Sequence, residues 1–208
     1  MRARSIAGAV LAVLISSSAS AQQVRWSFKL GGGLAIPTGS YNTYVKEGWQ
    51  GQLGAGYFPR GGKFGLSAEF NRSSTGIDQH FLDSLGATEG SSRLWSLTLN
   101  GIAKVLQRGR IAPYVIGGAG YYNRTVEFNG ATALVPIDDP WWSGTDIPAG
   151  SALNSYSKNS FGLNAGAGLA YKLAKGGAVF LEGRYHHAFA DPVDSQVLPI
   201  VVGVTFGF

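Results

Sequence analysis

The last twelve residues of the chain alternate strictly between large apolar side chains and small ones. The large face of this segment consists of Leu198, Ile200, Val202, Val204, Phe206 and Phe208. The small face consists of Pro199, Val201, Gly203, Thr205 and Gly207. A repeat of two residues is the repeat of a β-strand. A soluble sheet would leave the two phenylalanines at a free edge, whereas a membrane barrel sets the large face against lipid and has no edge. The pattern therefore predicts a lipid-facing barrel strand.

The N-terminus has the three parts of a secretory signal peptide. A basic start, Met1–Arg4, precedes a short apolar run, Ile6–Ile15, and a small-residue cleavage site that ends at Ala21. The apolar run is too short to anchor the chain in a membrane. It also lacks the apolar stripe of a helix that packs on a soluble core. We therefore expect a signal peptide over residues 1–21 and one barrel domain over residues 22–208.

Composition excludes several other classes of protein. The chain has no Cys, which removes disulfides and thiolate metal sites. No apolar run after the signal peptide is long enough for a transmembrane helix. Without Arg2 and Arg4 the chain holds 15 basic and 12 acidic residues, a net charge of +3. This charge is too small and too dispersed for a nucleic-acid partner.

Eight segments have the alternation of a half-buried strand. Several are eight to thirteen residues long, which is the length that a tilted strand needs to cross a membrane. In the fifth segment the inward face is ambiguous, because either Tyr114, Ile116 and Tyr122 or Val115 and Tyr121 can form it. The predicted strands are Val24–Ile36, Trp49–Phe58, Phe64–Asn71, Arg93–Leu106, Ile111–Arg124, Phe161–Leu173, Ala178–Phe189 and Val197–Phe208.

The connectors between these segments alternate between short and long. The tight turns are Pro59–Lys63, Gln107–Arg110 and Ala174–Gly177. The longer connectors are Pro37–Gly48, Ser73–Ser92, Thr125–Ser160 and Ala190–Gln196. Every second connector of an up-and-down barrel lies at the same end, so the tight turns share one end with both chain termini. The sequence thus predicts an all-β fold, an eight-stranded antiparallel up-and-down transmembrane β-barrel.

Aromatic residues on the large faces form two sets along the strands. The set near the tight-turn ends is Trp26, Tyr57, Phe64, Tyr171, Phe206 and Phe208. The set near the loop ends is Trp49, Phe70, Trp95, Phe161 and Tyr185. Strands are rich in aromatic residues in general, but the ordering by strand end favours two girdles at the lipid–water interfaces.

The signal peptide, the eight alternating strands, the tight turns and the terminal Phe208 together resemble the small outer-membrane barrels of the OmpA and OmpX type. The resemblance covers nearly all of the mature chain and rests on architecture rather than on a short motif. It implies a location in the bacterial outer membrane, with the tight turns facing the periplasm. It also implies that Phe208 is the signal that the barrel assembly machinery reads. Because the chain ends at the eighth strand, we expect no second, peptidoglycan-binding domain.

Seven charged side chains fall on the predicted inner face of the barrel. An eight-stranded barrel has an interior just wide enough for side chains to fill it. Glu69 and Glu182 lie near mid-strand on strands that face each other, and charges in so narrow a space must be paired. We expect a lumen network that closes the barrel; a rearrangeable gate or ion path is the alternative. The network residues are Arg25, Lys29, Glu69, Lys104, Lys172, Glu182 and Arg184.

The adjacent histidines His186 and His187 are the best candidates for catalysis, because some outer-membrane barrels modify lipid A. Neighbours on a strand point to opposite faces, so the two rings cannot hold one metal ion. Ser195 lies in the following loop with Asp191 and Asp194 near it, but nothing in the spacing assembles a hydrolytic triad. We therefore expect neither a catalytic site nor a metal site, and no cofactor.

The longest loop carries the adjacent indoles Trp141 and Trp142. They are candidates for a contact patch toward a partner, for a lid on the barrel mouth, or for an anchor at the membrane surface. Three carboxylates of the same loop, Asp138, Asp139 and Asp146, lack the regular spacing of a calcium loop, and we expect them to be solvated.

The sequence favours a noncatalytic outer-membrane protein with a structural or surface-interaction role. Its expected partners are outer-membrane lipid and lipopolysaccharide, the barrel assembly machinery and an unknown extracellular molecule. A narrow pore or small-solute transporter is the second hypothesis, and a lipid-A-modifying enzyme is the third. A soluble lipocalin-like barrel would require a polar outer face, which the large apolar faces contradict.

Overall fold

The computed structural model describes residues 26–59, 62–84, 88–106, 109–129, 155–173, 176–190 and 193–207. Within these ranges eight antiparallel strands pair in chain order, and the last pairs with the first to close the barrel. The fold predicted from the sequence is therefore confirmed. The strands are β1 Trp26–Pro37, β2 Val45–Tyr57, β3 Phe64–Ile77, β4 Glu89–Lys104, β5 Ile111–Asn129, β6 Ser155–Lys172, β7 Gly177–Phe189 and β8 Ser195–Phe206.

The barrel is polar inside and apolar outside, the reverse of a soluble protein. On β3 the outward side chains of Phe64 and Leu66 are 71% and 68% exposed. The inward residues of the same strand are polar and buried, namely Ser67, Glu69, Asn71, Ser73 and Thr75. Such an outer face is stable only against lipid, because a continuous band of exposed apolar side chains is unfavourable in water.

The predicted faces of the terminal strand are confirmed, and the ambiguity in the fifth strand is resolved. On β8, Val202 and Phe206 face outward, whereas Val201 is buried in the lumen. On β5 the inward side chains are Tyr114, Ile116 and Tyr122, and Val115 and Tyr121 are exposed on the outer face.

Five strands extend at least four residues further toward the long loops than the sequence predicted. The prediction ended the third strand at Asn71 and the fifth at Arg124, and it began the second at Trp49, the fourth at Arg93 and the sixth at Phe161. All five boundaries were wrong by four to six residues. Beyond the apolar band the outward side chains of these strands become polar, so the pattern of large apolar outward residues stops there although the hydrogen-bonded ladder continues.

The connectors lie at the two ends of the barrel as predicted. Residues 58–63, 105–110 and 173–176 connect strands at the end that also holds Trp26 and Phe206. The longer connectors lie at the opposite end, where a short 3₁₀ helix, Gly39–Thr43, and helix α1, Gln79–Ser84, are found. No helix in the described part of the chain is long and apolar enough to cross a bilayer.

An apolar cluster fills the lumen at the long-loop end. The ring of Tyr41, from the 3₁₀ helix, is only 1% exposed, and Leu82 from α1 packs into the same cluster. The strand residues around them are Ala35, Val45, Ile77, Leu94, Tyr122, Val126, Ala188 and Val197. The long-loop end thus has a small hydrophobic core of its own, above a polar interior.

Candidate functional site in the barrel lumen

Four charged side chains from three strands meet in the middle of the lumen. Arg184 of β7 contacts Glu69 of β3, with 2.8 Å between Nη2 and Oε2, and also pairs with Glu182 two residues away. Lys29 of β1 lies 2.7 Å from Glu182 and 3.5 Å from Glu69, measured from Nζ to the carboxylate oxygens. The four formal charges cancel, which allows them to be buried together.

Neutral donors complete the coordination of both carboxylates. Gln52 donates from Nε2 to Glu69 at 2.7 Å and to Glu182 at 3.3 Å. The hydroxyl of Tyr114 donates to Glu182 at 2.8 Å, and the hydroxyl of Ser67 donates to Glu69 at 3.1 Å. We call these seven residues the lumen network. Their hydrogen bonds satisfy the carboxylate lone pairs, which a buried charge requires in addition to a counter-ion.

Glycines on the neighbouring strands make room for the aromatic rings of the lumen. A Cβ atom at Gly168 would lie 2.4 Å from the ring of Tyr114, and one at Gly162 would lie 2.7 Å from the ring of Tyr122. Each ring therefore packs directly against a glycine of the adjacent strand, β6. This placement lets the Tyr114 hydroxyl reach Glu182 across the narrow interior.

A layer of neutral polar side chains lies beside the lumen network. Asn164 donates to Asn100 at 2.9 Å, and Asn100 donates to Thr98 at 3.0 Å. The hydroxyl of Tyr122 is 2.9 Å from Nδ1 of His186. These bonds join strands β4, β5, β6 and β7 around the lumen, so the polar layer is held together by side chains as well as by the barrel backbone.

Above this layer, Tyr41 and Arg124 link the loops to the barrel wall. The Tyr41 hydroxyl is 2.8 Å from Oγ of Ser92, and burial raises the pKa of this phenol. Arg124 donates from Nη1 to the carbonyl of Val193 at 3.1 Å and to Oγ of Ser195 at 3.0 Å. The connector before β8 is therefore fastened to β5 across the lumen.

A family model for the outer membrane protein beta-barrel domain matches residues 7–206. The chain belongs to this family of outer-membrane barrels. Its location is accordingly the bacterial outer membrane, and the tight-turn end is the periplasmic end, because short turns face the periplasm in such barrels. No curated relative matches the chain.

Two solved outer-membrane barrels share the fold of this family member. Neisserial surface protein A has a TM-score of 0.59 and 13% identity, with 88% of this chain and 97% of that chain covered. A major outer membrane protein from Thermus thermophilus has a TM-score of 0.56 and 15% identity, with 90% and 100% covered. The family and these neighbours are mostly non-enzymatic.

The outer-membrane barrel brings together four of the seven charged residues that the sequence placed in its lumen. Lys29, Glu69, Glu182 and Arg184 form the charged part of the lumen network. Lys104 and Lys172, which the sequence also placed in the network, line the lumen near the periplasmic ends of their strands. Lys104 packs over the ring of Phe58 at 3.9 Å, and Lys172 is exposed. The alternation of a strand shows whether a residue points into the barrel, but it does not show how far along the barrel axis the residue lies.

Other predicted residues fall outside the described ranges. Arg25, which the sequence placed in the lumen, lies there, as do the loop pair Trp141 and Trp142 and the assembly signal Phe208. The same holds for Asp138, Asp139 and Asp146 of the longest loop. Their roles remain the expectations drawn from the sequence.

Four contributors to the lumen were missed in the sequence. Gln52 and Ser67 were assigned to the inner face by alternation, but only charged residues were considered for the network. Tyr114 and Arg124 lie on β5, whose faces could not be told apart from its sequence. A search for every inward polar side chain, neutral ones included, identifies Gln52.

The adjacent histidines point to opposite faces of β7, as predicted. His186 is buried in the lumen beside Tyr122, whereas Nε2 of His187 is 2.8 Å from Oδ2 of Asp194 on the outside. Burial alone would raise the pKa of Asp194, but hydrogen bonds from His187 and the Ala190 N–H lower it. Ser195 faces the lumen and contacts Arg124. A triad of Ser195, His187 and Asp194 is therefore not assembled.

The described residues hold no group of three or more His, Cys, Asp or Glu side chains that could bind a metal ion.

On the outer surface, aromatic rings contact one another in both predicted girdles. Trp95 stacks on Phe70 with 6.2 Å between ring centres and lies 5.5 Å from Tyr121, and Trp26 meets Tyr57 at 5.4 Å near the periplasmic end.

Proposed function

We propose that the protein is a noncatalytic outer-membrane barrel whose lumen is closed by its own side chains and whose outer loops contact molecules outside the cell. The observation that carries this proposal is the lumen network. Arg184 and Lys29 neutralise Glu69 and Glu182 between opposite walls. Moving any one of these side chains would leave an uncompensated charge in a narrow space, which is strongly unfavourable.

The apolar cluster around Tyr41 provides a second closure at the extracellular end. Its members are almost fully buried, and an ion that entered the cluster would lose its hydration without gaining a counter-charge. Passage through the barrel would therefore require two separate rearrangements, one at each level. This arrangement supports a structural or surface role over transport.

The proposed partners follow from location and from sequence. We assign lipopolysaccharide and the other outer-membrane lipids to the apolar outer wall, and an unidentified extracellular molecule to the Trp141–Trp142 loop. We assign Phe208 to recognition by the assembly machinery, after export with a cleaved signal peptide over residues 1–21.

The narrow pore is the second candidate, and one observation favours it. A cavity occupies the periplasmic half of the lumen and reaches the lumen network at Lys29 and Glu69. Only the lumen network and the apolar cluster above it would then have to open for a small solute to pass. A lipid-modifying activity has less support, because Ser195 and His187 lie on opposite faces of the wall.

A swelling assay on proteoliposomes separates the closed barrel from the transporter. The refolded mature chain is inserted into phospholipid vesicles, and its folding is checked by the heat-dependent gel shift of intact barrels. The vesicles are then diluted into iso-osmotic glycine or arabinose. We expect swelling no faster than in protein-free vesicles; rapid swelling in glycine would overturn the closed-lumen proposal in favour of the pore.

A further inference from the structure

The periplasmic half of the lumen contains a cavity of about 370 Å³. This volume lies in the range of small-molecule binding sites, roughly 300–1,000 Å³. Its inner end is formed by Lys29 and Glu69 of the lumen network, and its mouth lies among residues of the tight turns, including Pro59, Gly62 and Leu106. The cavity is therefore a pocket that opens to the periplasm and is closed at its inner end.

The walls of this cavity are mainly apolar. Phe58, Ile102 and Ala170 line it and are partly exposed. Ala112, Ala178 and Phe180 also lie along it but are almost fully buried. The partly exposed apolar side chains border a space suited to an alkyl chain, which would gain by leaving water.

Two lysines lie at the mouth of the cavity, Lys104 of β4 and Lys172 of β6. Glu69 is the only carboxylate among the described lining residues, and Arg184 and Lys29 already neutralise it. The sequences of all three tight turns contain basic residues but no Asp or Glu. An anion at this position would be attracted by both ammonium groups.

We propose that this cavity binds a small amphiphilic anion from the periplasm, a carboxylate on a short alkyl chain. The carboxylate lies between Lys104 and Lys172 at the mouth, and the alkyl chain lies along Phe58, Ile102 and Ala170. A mainly apolar pocket with a few convergent polar groups has the composition of a site for such a ligand. This binding does not require the lumen to open, so it stands apart from the proposed function.

Alanine methyl NMR gives a direct test, because four buried alanines report on the two ends of the lumen. Ala112 and Ala178 line the cavity, whereas Ala35 and Ala188 belong to the apolar cluster at the other end. The refolded mature chain, carrying ¹³C-methyl alanine, is placed in phosphatidylcholine nanodiscs and titrated with decanoate. We expect saturable shifts at Ala112 and Ala178 and none at Ala35 and Ala188.

Two further probes and three variants separate specific binding from partition into the bilayer. Decyltrimethylammonium carries the same tail with the opposite charge, and decanol carries none; we expect both to bind at least tenfold more weakly than decanoate. Lys104→Gln is expected to weaken decanoate binding about tenfold, whereas Lys46→Gln, at the extracellular end, leaves it unchanged. Ala112→Phe, checked for folding by the gel shift, is expected to abolish the response at Ala178.

The opposite results would overturn the proposal. Shifts that never saturate, or that appear equally at Ala35 and Ala188, would mean that decanoate only partitions into the bilayer. Equal binding of the cationic probe, or unchanged decanoate binding in Lys104→Gln, would mean that the lysines do not form an anion site.

Discussion

Arg184 on β7 and Glu69 on β3 form an ion pair across the full width of the barrel, with 2.8 Å between Nη2 and Oε2. Three strands separate β3 from β7 on either side of the ring, so the pair links opposite walls. The same guanidinium also holds Glu182 on its own strand. The pair therefore fixes the separation of the walls at mid-height and fills the space that a pore would need.

Removing the guanidinium is expected to destabilise the barrel strongly. In Arg184→Met, Glu69 and Glu182 would remain buried and share Lys29 as their only cation among the described contacts. Breaking a buried ion pair by removing one partner costs about 3–5 kcal/mol of unfolding free energy. Urea unfolding in phospholipid vesicles, followed by tryptophan fluorescence, measures this loss.

The matched control is Arg93→Met on the outer surface. Arg93 pairs with Glu127 at 2.8 Å, but both side chains are more than a third exposed. Exposed ion pairs contribute about 0–1 kcal/mol, so this variant should unfold almost like the unaltered chain. Equal losses in the two variants would contradict the assignment of Arg184 to the lumen network.

The extracellular closure is tested at Tyr41. Tyr41→Phe removes the hydroxyl that contacts Ser92 at 2.8 Å and leaves the buried serine oxygen without it. We expect a loss of about 1–3 kcal/mol of unfolding free energy, as for other buried polar groups deprived of a partner. Ser92→Ala added to Tyr41→Phe should restore most of it. A double variant that is less stable than either single variant would argue against a direct bond between the two residues.

The packing of a glycine against an aromatic ring predicts that Gly→Ala substitutions at two glycines of adjacent strands have different effects on stability. In Gly168→Ala the new Cβ would lie 2.4 Å from the Tyr114 ring, forcing the ring and its bond to Glu182 to shift. Overpacking of this kind costs about 1–3 kcal/mol. A Cβ at Gly183 meets nothing within 4 Å, so Gly183→Ala should be neutral or stabilising by less than about 1 kcal/mol. Thermal gel-shift midpoints compare the two variants; equal midpoints would contradict the packing seen at Tyr114.

The pair of His187 and Asp194 predicts a local dependence on pH at the extracellular end. The folded pKa of Asp194 is lowered, so its contribution to stability is present above the ordinary carboxyl pKa of about 3.9 and is lost as the pH falls through the folded value. Carboxyl ¹³C NMR titration should show the low pKa in the unaltered chain and a higher one in His187→Ala. The exposed His80 serves as control, and an equal change in His80→Ala would show that the effect is not local.

The sequence predicted the barrel because the lipid-facing side of each strand must be apolar over a fixed length. For this reason apolar residues such as Leu66 and Val202 occur at every second position of their strands. This repeat identifies the outward faces of β3 and β8. Strand length was underestimated because the wall continues beyond the lipid. Arg93 and Glu127, for example, belong to paired strands there without any apolar alternation.

The lumen was predictable only in part, because side chains that meet inside it come from distant strands. Alternation placed Glu69, Glu182 and Arg184 inside, and the need for charge compensation predicted that they pair. Tyr114 and Tyr121 could not be distinguished on β5, because each face of that strand carries aromatic residues. Gly168 on the next strand leaves room for the Tyr114 ring inside the barrel. Because this glycine lies on another strand, no local pattern in β5 reveals which face of β5 points inward.

Single-channel conductance of the refolded mature chain in a planar bilayer tests the closed lumen most directly. The heat-dependent gel shift first establishes that the inserted protein is folded. The account predicts a silent bilayer, because the pairs between Arg184, Glu69, Glu182 and Lys29 cross the lumen and the Tyr41 cluster closes it again. Steady openings of uniform size from the folded, unaltered chain would contradict it and would mean that ions pass the lumen network.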